Sequence, residues 1–182
     1  LRLLSDVLAT PICAVINSSI RQGVVPQQWC IARITPIPKT IPPRFVDSDL
    51  RPIAITCPIS KIAEHFMSGM FNEHFESHVD INQFGCVAGR STTLALIKLT
   101  HLLFEVSDDS SNIIRLLFID FKKAFELIDH NIVAKKLDLY EFPPHIALWT
   151  LSFLQHRKQF VKLGTKISSV LDIDAGAPQG TR

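Results

Sequence analysis

Apolar residues recur at helical spacing along several stretches of this chain. Residues 2–22 read as a helix perturbed by Pro11 and closed near Gly23, because proline removes a hydrogen bond from a helix interior and glycine favours a helix end. From Ile59 the apolar positions Ile59, Ile62, Ala63, Phe66, Met67, Met70, Phe71 and Phe75 make a stripe along one helix face, as expected of an element packed on a core. A further helix opens at Gly89, Arg90 and Ser91, with Ser91 or Thr92 as its N-cap, and runs to about Val106. A short helix is expected after Lys122, and others near 131–139 and 144–155.

Elsewhere the period changes. Pro36, Pro38, Pro42 and Pro43 rule out regular helix in the segment that follows Gly23 and leave it extended. Residues 113–119 form an apolar run that predicts a strand. Residues 159–163 and 166–173 predict a hairpin around Gly164 and Thr165, a pair suited to a type II′ turn. The S-D-D-S-S-N run at 107–112 reads as a solvated turn, so Asp108 and Asp109 are not taken as a ligand pair. Strand, helices, then strands again implies an α+β fold.

Composition changes this picture little. At 182 residues, 47% hydrophobic and 20% charged, the chain can bury a sizeable core. Its net charge is only +2, yet through residue 45 Arg2, Arg21, Arg33, Lys39 and Arg44 face a single acid, Asp6. A basic patch of this kind suits a polyanion, although for each residue taken singly a solvated basic face is the more frequent explanation. Cys13, Cys30, Cys57 and Cys86 are scattered without C-x-x-C spacing; that supports neither zinc nor a disulfide framework and fits a reducing intracellular compartment, cytoplasmic or nuclear. His74 and His78 stand four apart without an evident third ligand and read as surface histidines. The opening segment is interrupted by Arg2, Asp6 and Asn17, so neither a signal peptide nor a membrane span is expected there.

The richest chemistry lies at 118–130, F-I-D-F-K-K-A-F-E-L-I-D-H, where an apolar run ends in Asp120. A strand that ends in an acid can hold a divalent metal rigidly near phosphate oxygens. Three further blocks accompany it: W-C-I-A-R-I-T-P-I-P-K at 29–39 with D-L-R-P-I at 49–53, Q-F-G-C-V-A-G-R-S-T at 83–92, and G-A-P-Q-G at 176–180. Together, and in this order, these segments resemble the reverse transcriptase domain of non-LTR retrotransposons over nearly the whole chain.

The resemblance implies a right-hand polymerase architecture: an N-terminal helical extension at 1–30, fingers at 31–112, and a partial palm at 113–182 whose antiparallel sheet carries Asp120, backed by helices. It also implies an RNA-directed DNA polymerase that adds dNTPs to a primer 3′-OH on an RNA template, with Mg2+, or Mn2+ in its place, and with the downstream palm and thumb of the parent polypeptide as partners. Asp120 and the Phe121 carbonyl would meet metal. Lys39 and Arg51 would neutralise triphosphate, one as a point charge and the other as a planar fork. The amides of Lys123 and Ala124 would form an anion cradle. Phe125 would exclude a ribose 2′-OH, and taken alone it reads as a core residue. Gln179 and Gly180 would line the nucleotide pocket. Gln83, Gly89, Arg90 and Ser91 would lie along the template, and a plain glycine loop capping a helix explains them equally well. Glu126 and Ala177 depart from the family pattern, which more often has Asp and a larger apolar residue there.

No Y/F-x-D-D hairpin, the family's source of the remaining metal carboxylates, occurs within these 182 residues. Both ends look cut from a longer polypeptide, so the chain as given is expected to lack polymerase activity and to expose apolar surface and an open sheet edge. The alternative is a catalytically dead remnant acting at most as a nucleic-acid-binding module. A kinase-like or P-loop phosphotransferase is disfavoured by the lack of G-x-x-x-x-G-K-[ST] and G-x-G-x-x-G.

Overall fold

The computed structural model describes residues 4–108, 112–178 and 180. The chain divides into two compact units, one of Leu1–His74 with Lys123–Arg182 and the other of Phe75–Lys122. In chain order the elements are α1 (Ser5–Gln22), β1 (Ile31–Pro38), α2 (Val46–Asp49), β2 (Leu50–Ile55), α3 (Pro58–Phe75), α4 (Thr92–Ser107), α5 (His130–Leu139), α6 (Pro144–Leu154), β3 (Arg157–Leu163), β4 (Lys166–Ile167) and β5 (Leu171–Ile173). No helix among the described residues is long and apolar enough to cross a membrane.

The first unit is a mixed α+β body around one sheet. β1 lies between β2, which is antiparallel to it, and β3, which is parallel. The far edge of β3 is shared, by β5 near its start and β4 at its end. The sheet is therefore mixed, not antiparallel as expected, since a long crossover returns β3 alongside β1. Residues alternate between its faces. Ala32, Ile34 and Ala54 turn inward as a small core with Val161 packed on it. Arg33, Thr35 and Ile37 turn outward, opposite Ile55, Ile53 and Arg51.

Helices α1 and α6 are tied by polar groups as well as apolar burial. The Trp149 indole N–H donates to Ser19 Oγ at 3.0 Å, Ser19 Oγ donates to the Val24 carbonyl at 2.6 Å, and Val25 N donates to Ser152 Oγ at 2.9 Å. Ile16, Ile20, Ile146 and Trp149 are buried, and each such side chain contributes roughly 1.5–3 kcal/mol. α1 tolerates Pro11 in its interior and ends at Gly23, whose N–H returns to the Ile20 carbonyl.

In α3 the buried face is Ser60, Ala63, Glu64 and Met67, rotated away from one edge of the predicted stripe. Ile62, Phe66 and Met70 at that edge instead line, with α1, an apolar groove of about 880 Å³. Phe71 stacks on Phe142 at 4.4 Å. His74, expected at the surface, is half-buried against the same ring, with Nε2 3.0 Å from the Tyr140 carbonyl.

The hairpin forms as predicted at its tip, with Leu163 paired to Lys166 and Gly164 at φ +57°. Its second arm is broken at 168–170: Ser168 Oγ accepts from Val161 N at 2.9 Å, taking a place in the ladder that a backbone carbonyl would fill. A further expectation fails here. After Lys122 there is a turn at 122–127 and no helix, with Lys123 at φ +56°, outside the right-handed helical region.

In the second unit α4 is N-capped by Ser91, whose Oγ accepts from Leu94 N at 3.2 Å. Residues 113–119 do not form the expected strand, and Asp120 stands on no sheet. A strand needs a neighbour to take its backbone hydrogen bonds, and no described residue pairs with this run. Its side chains are open to solvent, Leu117 84% and Phe118 80% exposed. α4 continues through Ser107, past the predicted helix end, and Asp109 lies outside the described residues.

Candidate functional site

The centre of the site is a loop, residues 175–180, that touches two elements of the first unit. On one side it is bonded to the 123–128 turn. Gly176 N donates to the Ile128 carbonyl at 2.9 Å and Ala177 N to the Phe125 carbonyl at 2.7 Å. A side chain at Gly176 has no room: a Cβ would lie 2.7 Å from the Glu126 carbonyl oxygen and 2.8 Å from that of Phe125. On the other side Gly180 backs onto β2, where a Cβ would meet Ile53 Cγ2 at 3.2 Å and the Ala54 carbonyl at 3.3 Å. Arg51 is two residues from Ile53 and on the same face. Gln179 lies outside the described residues.

The connection between β1 and β2 places the two predicted cations. Lys39 N donates to the Asp49 carbonyl at 2.7 Å, extending the pairing past Pro38, and Lys39 Nζ donates to the Ser48 carbonyl at 2.9 Å. Asp49 organises this tip: its carboxylate accepts from Ser48 Oγ and from the backbone N–H groups of Arg44 and Phe45. Those bonds, the Ser48 one foremost, hold its pKa below the ordinary carboxylate value. Arg51 is exposed, and its side chain has no hydrogen bond or ion pair among the described residues.

In the turn, the Lys123 carbonyl accepts from Glu126 N and Leu127 N, whereas the N–H groups of Lys123, Ala124 and Phe125 donate to no backbone carbonyl among the described residues. Such free successive amides are what an anion cradle needs. Lys123 Nζ lies 3.8 Å from Glu126 Oε2, and both side chains are partly exposed. Phe125 is exposed, not a core residue.

His130 and Asp129 support the loop from α5. His130 is buried, and its Nε2 lies 2.8 Å from the Gly176 carbonyl. Asp129 caps α5 by accepting from Asn131 N at 2.8 Å. Sequence reasoning gave neither Asp49 nor His130 a role, although both stand inside the quoted motifs; the D-H pair following K-A-F was the available signal.

Beneath the loop, on the inward face of the sheet, a cavity of about 570 Å³ is lined by Lys123, Glu126, Arg157 and Pro178 among others. Arg157 is 4% exposed. Its Nη1 donates to the Phe153 carbonyl at 2.8 Å and its guanidinium sits 4.7 Å from the Phe153 ring. Burial pushes its pKa down, opposed by Cys30 and Glu64. Arg157 Nη2, Glu64 Oε2 and Thr56 Oγ1 are buried without a hydrogen-bond partner. The same burial raises the Cys30 thiol pKa.

The remaining predicted residues lie in the second unit. Asp120 and Phe121 are exposed. Among the described residues no three of His, Cys, Asp and Glu are grouped to hold a metal ion, so the residues present do not by themselves fit a two-metal centre. Arg90 Nη1 donates to the carbonyls of Asp80, Ile81 and Gln83 at 2.8, 3.2 and 2.6 Å. Arg90 thus clamps the turn before α4. Gln83 bonds within the same turn, to the Gly85 carbonyl at 2.8 Å.

Comparison with known proteins agrees with this arrangement of motifs. Residues 37–182 match the family model described as reverse transcriptase (RNA-dependent DNA polymerase). The chain is 28% identical over 168 residues to the "Probable RNA-directed DNA polymerase from transposon BS" of Drosophila melanogaster, covering 91% of this chain and 18% of that protein. It is 28% identical over 172 residues to the "Probable RNA-directed DNA polymerase from transposon X-element", covering 93% and 19%. To the "RNA-directed DNA polymerase from mobile element jockey" of the same organism it is 29% identical over 187 residues, covering 100% and 20%. The chain spans about a fifth of the length of these relatives. With the family model matching most of its length, the chain belongs to the reverse transcriptase (RNA-dependent DNA polymerase) family.

Proposed function

We propose that this chain is the nucleotide-gripping part of an RNA-directed DNA polymerase from a non-LTR retrotransposon, with fingers at 31–112, partial palm at 113–182 and a helical extension at 1–30. The observation that carries the reading is the loop at 175–180, bonded to the K-A-F turn and seated against the strand that bears Arg51. Lys39 and Arg51 neutralise the phosphates of a dNTP, the free amides of Lys123 and Ala124 bind the same anion, and Phe125 contacts the sugar. Charge-assisted bonds of these kinds are the strong ones. The intact intracellular parent, with its later palm and thumb, joins the nucleotide to a DNA primer on an RNA template.

Nucleotidyl transfer calls for divalent metal, Mg2+ or Mn2+, and Asp120 with the Phe121 carbonyl are the motif's ligands. One carboxylate is too few for two ions. Primer extension on an RNA template with dNTPs and Mg2+ should therefore yield no product above a no-protein control from the chain as given. Robust extension would refute this part of the account. The second reading is a catalytically dead remnant acting at most as a nucleic-acid-binding module. The gene downstream of Arg182 separates the two: a Y/F-x-D-D hairpin supports the enzyme and a stop codon the remnant.

A further inference from the structure

Helix α1 is 18 residues long, about 27 Å at the usual helical rise, and its buried residues, Ile16, Ser19 and Ile20, all lie in its C-terminal half. One side of it forms a wall of the apolar groove of about 880 Å³, with Ile62, Phe66 and Met70 of α3 as the other wall. Leu8, Ile12, Ile16 and Ile20 line the α1 side, and the small residues Ala9 and Cys13 stand beside them. Pro11 projects on the opposite side of the helix and does not line the groove. An open apolar groove between two helices is the shape that accepts a further helix by its apolar face.

The charges at the two ends of α1 indicate which helix. Asp6 stands in its first turn and Arg21 in its last, and both are exposed. Among the described residues Asp6 accepts a side-chain hydrogen bond only from the adjacent Ser5, at 3.3 Å, and the Arg21 side chain has no hydrogen bond or ion pair. Helical geometry sets Asp6, Cys13 and Arg21 within about 80° of one another, on the side that faces the groove. When a second α1 is laid antiparallel on the first, Asp6 meets Arg21 of the partner subunit at one end and Arg21 meets the partner's Asp6 at the other. The two-fold axis then falls between Cys13 and Ala14, where small side chains let the backbones approach. Antiparallel alignment also opposes the helix dipoles favourably. A parallel alignment would set like charges together, and an uncharged apolar ligand would leave both ends unused.

We propose that α1 seats in the groove between α1 and α3 of a second copy of this chain, making a two-fold dimer with reciprocal Asp6–Arg21 pairs. Such a contact is isologous, each copy presenting the same surface to the other. One helix in one groove is a modest interface, and weak complexes bury less than about 1,200 Å², so the dimer should be reversible and depend on concentration. Lys39, Arg51 and the 123–128 turn line no part of the groove, so dimer formation and triphosphate binding can fail separately.

The test is sedimentation velocity of the full chain over a series of concentrations, in which the mass should rise from monomer to dimer. Ile12→Glu should weaken the dimer about 100-fold or more, because it buries a charge without a partner. Asp6→Arg and Arg21→Asp should each weaken it about ten-fold, since each reversal strikes two symmetric pairs, and the double variant Asp6→Arg/Arg21→Asp should restore wild-type affinity. Should Ile12→Glu fail to fold, the charge swap still decides the matter, because both residues are exposed. A short bis-maleimide should join the exposed Cys13 thiols of two copies, in the wild type and in Cys86→Ser but not in Cys13→Ser. A monomer at every concentration would overturn the proposal. So would a dimer that ignores Asp6→Arg and Ile12→Glu, which would place the contact on other apolar surface such as the exposed Leu117 and Phe118. Uptake of palmitate in the groove by a chain that stays monomeric would overturn it as well.

Discussion

Gly176→Ala should destabilise the first unit by about 3 kcal/mol or more, an effect large beside the usual range for single substitutions. Two costs combine. At φ +81° a side chain carries roughly 1–2 kcal/mol of left-handed strain, and the new Cβ would press on the carbonyls of Phe125 and Glu126 at under 3 Å. Those are backbone atoms and cannot swing away. Gly164→Ala separates the two costs, because Gly164 is also at positive φ, +57°, with nothing within 4 Å of a Cβ. Urea midpoints should therefore fall modestly for Gly164→Ala and far more for Gly176→Ala. Equal losses would mean that the loop and the turn do not approach as described.

Arg157→Met should cost roughly 1.5–3 kcal/mol, because the Phe153 carbonyl loses the charged donor that Arg157 Nη1 supplies at 2.8 Å. Arg157 Nη2 and Glu64 Oε2 are each buried without a hydrogen-bond partner among the described residues, so any interaction between the two residues is a matter for measurement. If the two charges are coupled, replacing both residues by methionine should recover part of the loss, as it does for buried charge pairs. A double-mutant cycle measured by urea unfolding gives the coupling directly. Additive losses would show that Arg157 and Glu64 act separately.

How much of this could be read from the chain depended on whether an element's partners are local. The helices α4, α5 and α6 were legible because caps and apolar spacing are local signals, and the Gly164 turn because its geometry belongs to two residues. The parallel pairing of β1 with β3 was not legible, since nothing in either strand names a neighbour more than a hundred residues away. The run at 113–119 shows the converse. Its composition is that of a strand, yet without a described partner it forms no regular element and is largely exposed. In α3 the stripe was wide enough for two faces, and burial chose the one that includes Ser60 and Glu64, a polar pair bonded at 2.8 Å. Of the candidate site, Lys39, Arg51, the K-A-F turn and Gly180 are brought into one unit; Asp120, Phe121 and the 83–91 group belong to the other. Asp49 and His130 were missed because their work is to hold backbone, which no residue type announces.

The account turns on the claim that the tip bearing Lys39 and Arg51 grips a triphosphate, with or without a complete metal centre. Titration of the chain with dATP, read by isothermal calorimetry, tests it most directly. Arg51→Ala and Lys39→Ala should each weaken binding about 10- to 100-fold, the range for losing roughly 1.5–3 kcal/mol of charged hydrogen bonding, while Asp120→Asn should change it little. Binding that is unaffected by Lys39→Ala and Arg51→Ala would contradict the account.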